Sequence, residues 1–242
     1  MIKYLQLPFH FDAQKMQEEL QQMDSGAWKL HYQKLHYEGD WTALPLRSIN
    51  GDAGNIFISP ENNPEYKDTI FLDNSVYFRE VLSFFKCPLL AVRLMKLNAG
   101  AVIKEHKDAE LCYEKGEIRI HIPVVTNDEV EFYLDKERMN LKEGECWYMN
   151  FNLLHSVNNK SNAARIHLVV DAKVNDWVKE LFSQPAIHKK EMEEPGYDPA
   201  TKQQIITRLR ELNTETANRL ADEMSEGPGG EASQGSSVSG DM

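Results

Sequence analysis

The sequence predicts a mainly β fold: a double-stranded β-helix, or jelly-roll, core with flanking helices and a C-terminal helix. Three observations predict it. Short stretches of alternating apolar and polar residues recur through the middle of the 242-residue chain. Turn-forming residues such as Asn98-Ala99-Gly100 and Lys142-Glu143-Gly144-Glu145 separate them. The residues that carry chemistry lie on segments distant in sequence, which a double-sheet barrel brings together in its interior.

Each element follows from its local pattern. Ile2 to Leu7 reads as a first strand. Asp12 is an N-cap for a helix from Ala13 to Met23, with Met16, Leu20 and Met23 on one face. Trp28 to Tyr37 and Ala43 to Ile49 read as two strands around Gly39-Asp40. Asp73 is placed as the cap of a second helix, Asn74 to Phe85, whose Val76, Phe78, Val81, Leu82 and Phe85 pack into the core. Leu89 to Leu97 is a strongly apolar strand, and Ala101 to Ile103 restarts a short one with His106 at its end. In Glu117 to Val125, Ile118, Ile120 and Ile122 share one face and Arg119 and His121 the other. Glu131 to Leu134 and Cys146 to Phe151 are further strands, with His155 just after. Ala164 to Asp171 is the last strong strand, with Arg165, His167 and Val169 on one face.

These elements give a domain organisation of residues 1–182 as the core domain, 183–198 as a linker interrupted by Pro185 and Pro195, 199–224 as an amphipathic helix and 225–242 as a disordered tail. Asp198-Pro199 starts the C-terminal helix, with proline at its first position. Ile205, Leu209, Leu212 and Leu220 form its apolar stripe. The Gly/Ser-rich, acidic composition of the tail suits disorder.

Composition narrows the function classes. Hydrophobic residues at 41% and aromatics at 10% provide a core. A net charge of −11 argues against non-specific binding to nucleic acid or to an anionic membrane. No stretch is long and apolar enough to span a bilayer, and the N-terminal segment lacks a signal-peptide pattern. Three cysteines, Cys87, Cys112 and Cys146, have no framework spacing. A reducing cytoplasmic location is the expectation.

His106, Asp108 and His155, with Arg165 beyond them, are the residues that carry chemistry. Two imidazoles and one carboxylate on one face of a metal, with the remaining positions open, are the ligand set of non-haem Fe(II) oxygenases. Zinc is the competing metal, since His and Asp bind it too. Zinc gives no reason for Arg165. A guanidinium is always charged and grips a carboxylate with a rigid fork, which points to 2-oxoglutarate as co-substrate beside Fe(II) and O2. Arg47, Arg93 and Arg119 are candidates for anchoring a carboxylate-bearing substrate. Surface salt-bridging is the competing reading for Arg47 and Arg93. His31, Trp28, Trp41 and Asn50 are candidates for the cavity mouth, with core packing the alternative for both tryptophans.

From Arg93 to Asp171 the sequence resembles the aspartyl/asparaginyl β-hydroxylase family of Fe(II)- and 2-oxoglutarate-dependent oxygenases. The matching stretches are Ala99-Gly100 before His106, Arg119-Ile120-His121-Ile122, Gly144-Glu145-Cys146-Trp147, and His155 to Arg165 followed by Val169-Val170-Asp171. It is also similar to the bacterial free-proline hydroxylases, including Trp41 to Gly51 upstream. The resemblance implies a cupin-like oxygenase domain in which His106 and His155 hold iron and Arg165 holds the distal carboxylate of 2-oxoglutarate. It also implies His121 on the co-substrate and Arg119 on the substrate. Asp108 departs from the animal protein β-hydroxylases, which have glycine there, and agrees with the proline hydroxylases. His167 stands where many 2-oxoglutarate enzymes have serine, so a second donor to the distal carboxylate is not named by the sequence.

The expected activity is hydroxylation of an aspartyl/asparaginyl-type or related amino-acid C–H bond, with succinate and CO2 as co-products. The partner is then an amino acid or polypeptide bearing a carboxylate. Two alternatives stand beside it: a free amino acid (proline-type) hydroxylase, and a non-catalytic cupin that binds metal and 2-oxoglutarate. A zinc or manganese cupin with isomerase or hydrolase chemistry is a further one.

Overall fold

The alternation in the sequence becomes two antiparallel sheets facing each other. The structure is a computed structural model that describes residues 1–58, 64–185, 188–192 and 198–226. The chain begins with β1 (Ile2–His10) and α1 (Ala13–Gln21), then the two-residue strands β2 (Lys29–Leu30) and β3 (Tyr37–Glu38), and β4 (Trp41–Ile49). β5 (Tyr66–Asp68), α2 (Ile70–Asp73) and α3 (Val76–Ser83) lead into the barrel strands. These are β6 (Leu89–Leu97), β7 (Val102–His106), β8 (Glu117–Val125), β9 (Val130–Leu134), β10 (Glu137–Met139), β11 (Glu145–Met149), β12 (His155–Asn159) and β13 (Arg165–Lys173). α4 (Asp176–Ser183), β14 (Lys189–Glu191), α5 (Pro199–Leu212) and α6 (Glu215–Glu226) follow.

The larger sheet has the order β14-β1-β11-β8-β13-β6-β4-β2, with β5 on β4; the smaller has the order β10-β9-β12-β7-β3. The chain from β6 to β13 passes back and forth between them, so β6, β8, β11 and β13 sit in one and β7, β9, β10 and β12 in the other. That connectivity is the jelly roll the sequence predicts.

Period-two alternation divides the larger sheet into two working faces. Outward, Val92, Leu94, Ile118, Ile120, Ile122, Cys146, Tyr148, Leu168 and Val170 pack with Met16 of α1, Phe78, Val81 and Leu82 of α3, and Val178 and Phe182 of α4. Each of Ile118, Ile120 and Ile122 is essentially excluded from water, worth about 1.5–3 kcal/mol apiece. Inward, Met95, Leu97, Trp147, Met149 and Val169 meet Ile103, Phe132, Leu134 and Val157 of the smaller sheet. The same inward phase carries Arg93, Arg119, His121, Arg165, His167 and Asp171, all buried. The outer face therefore stabilises the sheet, and the inner face is free to hold charge.

Gly144 fixes the turn into β11. Its φ is +80°, and a Cβ there would collide with the Phe11 carbonyl, while the Phe11 N–H donates to the Gly144 carbonyl at 2.8 Å. Asp12 caps α1 as expected, accepting from Lys15 N.

Four expectations are corrected. Trp28–Tyr37 is not one strand, because β2 pairs with β4 in the larger sheet and β3 with β7 in the smaller. The segment changes sheets through a 3-10 turn at Lys34–His36. The second helix is two: Thr69 caps α2, and Asp73 caps nothing. The first N–H groups of α3 are met by Glu19 of α1, whose carboxylate accepts from Tyr77 N at 2.6 Å and Phe78 N at 2.9 Å. The stretch 183–198 includes a strand, β14, paired with β1; residues 186–187 and 193–197 of it lie outside the described residues. The 199–224 helix is broken at Asn213, whose φ is +46°, and restarts where Thr214 Oγ1 accepts from Ala217 N at 3.2 Å.

The chain divides into two compact units, Met1–Met192 and Glu193–Met242. In the second, α5 and α6 pack on each other, and Asp198 caps α5 by accepting from Ala200 N and Thr201 N. Ser225 and Glu226 belong to α6; the remainder of the expected tail, 227–242, lies outside the described residues. Among the described residues, no helix is long and apolar enough to cross a membrane.

Candidate metal centre and active-site cavity

His106 ends β7 and His155 begins β12, and the two are direct cross-strand partners. Their rings lie 4.2 Å apart, centroid to centroid. Asp108 is on the loop after β7, held by its own N–H, which donates to the Phe151 carbonyl at 2.9 Å. One donor atom from each of His106, Asp108 and His155 lies within 4.8 Å of the others. His106 Nε2 is 3.7 Å from Asp108 Oδ1.

The imidazoles are oriented from behind. His106 Nδ1 donates to the Lys104 carbonyl at 2.8 Å, and His155 Nδ1 to the Leu153 carbonyl at 3.1 Å. Both Nε2 lone pairs are thereby left for a metal, the arrangement typical of metal-ligating histidines. Burial, then neighbouring His106, lowers the His155 pKa to about 4, so at neutral pH it is the neutral, ligating form. Burial acts to raise the Asp108 pKa. The Arg119 guanidinium, followed by His155, His106 and Arg93, outweighs it and keeps the carboxyl below its usual range. Two imidazoles and one carboxylate fit a divalent cation with open positions.

The cluster opens into a cavity of about 560 Å³ between the sheets. Arg93, Arg119, His121 and Arg165 reach it from the larger sheet, Phe132 and Val157 from the smaller, and Phe151 from the loop before β12. His31, Tyr32 and Trp41 stand on its wall as well. His31 is stacked on Trp41 with centroids 3.6 Å apart, and burial, then Arg93, lowers its pKa to about 3.

Arg119 and Arg93 share one carboxylate. Arg119 Nε donates to Asp171 Oδ1 at 2.6 Å and Nη2 to Asp171 Oδ2 at 3.1 Å. Its Nη1 donates to Asp108 Oδ2. Arg93 Nη2 donates to Asp171 Oδ2 at 2.7 Å and Nη1 to the Ile56 carbonyl at 3.3 Å.

Arg165 is different. It is 2% exposed, and among the described residues it has no carboxylate partner. Nη2 donates to His167 Nδ1 at 2.8 Å, Nε has no partner, and the guanidinium lies 5.8 Å from the Phe132 ring centre. Burial lowers its pKa to about 9. Because Arg165 only donates, His167 Nδ1 is an acceptor. His121 Nδ1, 3.2 Å from that same atom, is then a donor, and His121 Nε2 is left buried without a partner. Burial, then Arg165, holds both histidines well below their usual pKa.

Nine of the sequence-predicted candidates, His31 and Trp41 among them, thus meet in one cavity. Arg47 does not. A bulge between Pro45 and Arg47 shifts the register of β4, and its side chain ties the sheet edge together through Asp68, the Tyr66 carbonyl and the Leu89 carbonyl. Trp28 and Asn50 are not on the wall either. Asp171 and His167 were not assigned roles from the sequence. Their signal is the alternation itself, since Arg165, His167, Val169 and Asp171 share the inward face of β13.

Fold and site together define a jelly-roll barrel with a His–Asp–His cluster and buried guanidiniums in its interior. The chain belongs to the aspartyl/asparaginyl beta-hydroxylase family, whose profile matches residues 10–174. A curated relative, L-proline cis-4-hydroxylase of Rhizobium meliloti, is 24% identical over 163 residues, covering 66% of this chain and 57% of that protein. The chain therefore matches little more than half the length of that relative. Among solved structures, a 2OG-Fe(II) oxygenase family oxidoreductase from Burkholderia pseudomallei aligns with a TM-score of 0.49 at 13% identity, over 72% of this chain and 86% of that one. A Pseudomonas putida prolyl-4-hydroxylase aligns with a TM-score of 0.45 at 10% identity, over 72% and 94%.

Proposed function

We propose that this protein is an Fe(II)- and 2-oxoglutarate-dependent dioxygenase that hydroxylates a C–H bond of an amino acid or amino-acid residue bearing a carboxylate. The observation that carries the reading is Arg165: a buried guanidinium without a counter-ion among the described residues, on the wall of the cavity that holds the His–Asp–His cluster. Burying an unpaired charge is costly, and an anionic ligand removes that cost.

His106, Asp108 and His155 would hold the iron, and Arg165 the distal carboxylate of 2-oxoglutarate. When bound, Fe(II) with 2-oxoglutarate and O2 supplies the oxidising power to hydroxylate an unactivated C–H bond, releasing succinate and CO2. The chain supplies orientation and a dry interior. His167 supports Arg165 until the ligand arrives. Once Arg165 turns to a carboxylate, His167 Nδ1 is free to carry a proton and donate it to His121 Nδ1. His121 then presents Nε2–H to the cavity as a second donor.

Charge balance supports a carboxylate on the substrate. In and behind the wall, three guanidiniums (Arg93, Arg119, Arg165) face two carboxylates (Asp108, Asp171). A divalent metal and a dianionic co-substrate cancel each other, leaving one positive charge. Arg93, with its Nε buried and unpartnered, and Arg119 are the groups to meet one substrate carboxylate.

The family supports an aspartyl/asparaginyl-type substrate as the first reading. Similarity to a proline hydroxylase and the presence of Asp108 favour a free amino acid as the second reading. Succinate release measured with L-proline, other free amino acids, and Asp- or Asn-containing peptides separates the two. Stimulation by peptides alone supports the first, by free amino acids alone the second. Metal and 2-oxoglutarate binding without turnover on any of them would overturn the catalytic reading.

A further inference from the structure

We infer that Arg119 is a positioning residue for the metal ligand Asp108, and that Asp171 in turn fixes Arg119, so that the row Asp171–Arg119–Asp108 sets which oxygen of Asp108 faces the metal. The inference rests on the metal-centre reading above.

Asp108 needs such a device. His106 and His155 are on paired strands, with their rings tied to backbone carbonyls. Asp108 is on a loop, and its carboxylate is free to rotate unless something holds it. Its two oxygens point to different partners: Oδ1 lies toward His106 Nε2 at 3.7 Å, and Oδ2 accepts from Arg119 Nη1. One oxygen is therefore presented to the metal side and the other is occupied, which favours monodentate ligation.

Arg119 is suited to hold it still. It lies on β8, in the middle of the larger sheet, as the direct cross-strand partner of Asp171 on β13. Two of its nitrogens grip both oxygens of Asp171 at 2.6 and 3.1 Å. Asp171 is 2% exposed and is also fixed by Arg93 from β6 at 2.7 Å. The guanidinium plane lies over the Phe151 ring, 5.6 Å from its centre. A fork seated on one carboxylate and pointing its remaining nitrogen at another transfers the rigidity of the sheet to the loop. A guanidinium serving substrate alone has no reason to engage all three of its nitrogens with the chain's own carboxylates.

The test is Co(II) binding to the full chain without 2-oxoglutarate or substrate, read by titration and by the visible d–d absorption of the bound ion. Removing an outer partner of a metal ligand typically weakens metal affinity by about 10- to 100-fold, and Arg119→Gln is expected to fall in that range. Asp171→Asn is expected to weaken binding in the same direction, and Arg119→Lys to recover part of the loss. In an Asp108→Gly background, Arg119→Gln is expected to weaken binding no further. Unchanged Co(II) affinity and spectrum in both Arg119→Gln and Asp171→Asn, or an equal loss with and without Asp108, would overturn the inference. If Arg119→Gln does not fold by circular dichroism, Asp171→Asn and Arg119→Lys decide it on the same readouts. Failure of the wild-type chain to bind Co(II) at all would instead overturn the metal-centre reading.

Discussion

Replacing Arg165 with leucine separates two effects of one side chain. The guanidinium is 2% exposed and lacks a carboxylate partner among the described residues, so solvent screens it little. Truncating one side of a desolvated, hydrogen-bonded charge pair costs about 2–5 kcal/mol. At about 1.4 kcal/mol per decade, Arg165→Leu should weaken 2-oxoglutarate binding by about 30- to several-thousand-fold. Without ligand, the sign reverses. A cation whose folded pKa is lowered, here to about 9 by burial, destabilises the fold at every pH below that value. The penalty fades only as pH rises through it. Arg165→Leu should therefore leave the ligand-free protein as stable as wild type, or raise its Tm by about 2–4 °C for each kcal/mol relieved. Wild type should gain about 2.7 kcal/mol from 2-oxoglutarate at a hundred times its Kd, and the variant should gain less than about 1 kcal/mol at that concentration. Calorimetric titration of the Mn(II)-loaded proteins and thermal melts with and without 2-oxoglutarate provide both readouts. Lysine should rescue binding only in part, because it offers a point charge in place of a fork. An unchanged Kd in the leucine variant would refute the argument, and so would a large loss of ligand-free stability.

Other expectations concern the cluster and its frame. His155→Ala should abolish metal binding while circular dichroism and Tm stay close to those of the ligand-free wild type. Asp108→Gly should weaken Fe(II) binding less than either His106→Ala or His155→Ala, measured by the same titration; a loss equal to that of His106→Ala would mean all three ligands are required. Acid should destabilise the metal-free protein as pH falls from about 6.5 toward 4, because the unfolded chain takes up protons there. Burial holds His155 near 4 and His31 near 3 in the folded state. Urea unfolding across that window should show a slope that His31→Gln reduces; a flat profile would contradict the burial argument. Gly144→Ala should cost at least about 1–2 kcal/mol, since a left-handed backbone disfavours a Cβ and the Phe11 carbonyl occupies its place. A Tm equal to wild type would show that the turn relaxes.

The sequence made the barrel and most of its chemistry legible because both rest on period two. Ile118, Ile120 and Ile122 against Arg119 and His121 define the two faces of β8 by alternation alone. The same alternation placed Arg165 inward. What it could not show was pairing between distant side chains. Glu19 caps α3 across a gap of nearly sixty residues, so Asp73 looked like the cap. Arg47 has the right phase for the interior, but the bulge beside it and its bonds to β5 take it away from the cavity. Asp171 reads as the end of an apolar strand; only the fold reveals two guanidiniums converging on it. The break at Asn213, where the backbone turns left-handed, was hidden because the apolar stripe running through it suggested one helix.

The most direct test of the central claim is anaerobic titration of 2-oxoglutarate into the Fe(II)-loaded protein, monitored by the visible charge-transfer absorption of a 2-oxo acid chelated to Fe(II). The account predicts that this band appears in the wild-type protein and saturates at one 2-oxoglutarate per chain. Succinate should not produce it, His155→Ala should abolish it, and Arg165→Leu should require far more ligand to reach it. A wild-type protein that retains iron but never develops the band, or a band that survives His155→Ala unchanged, would contradict it.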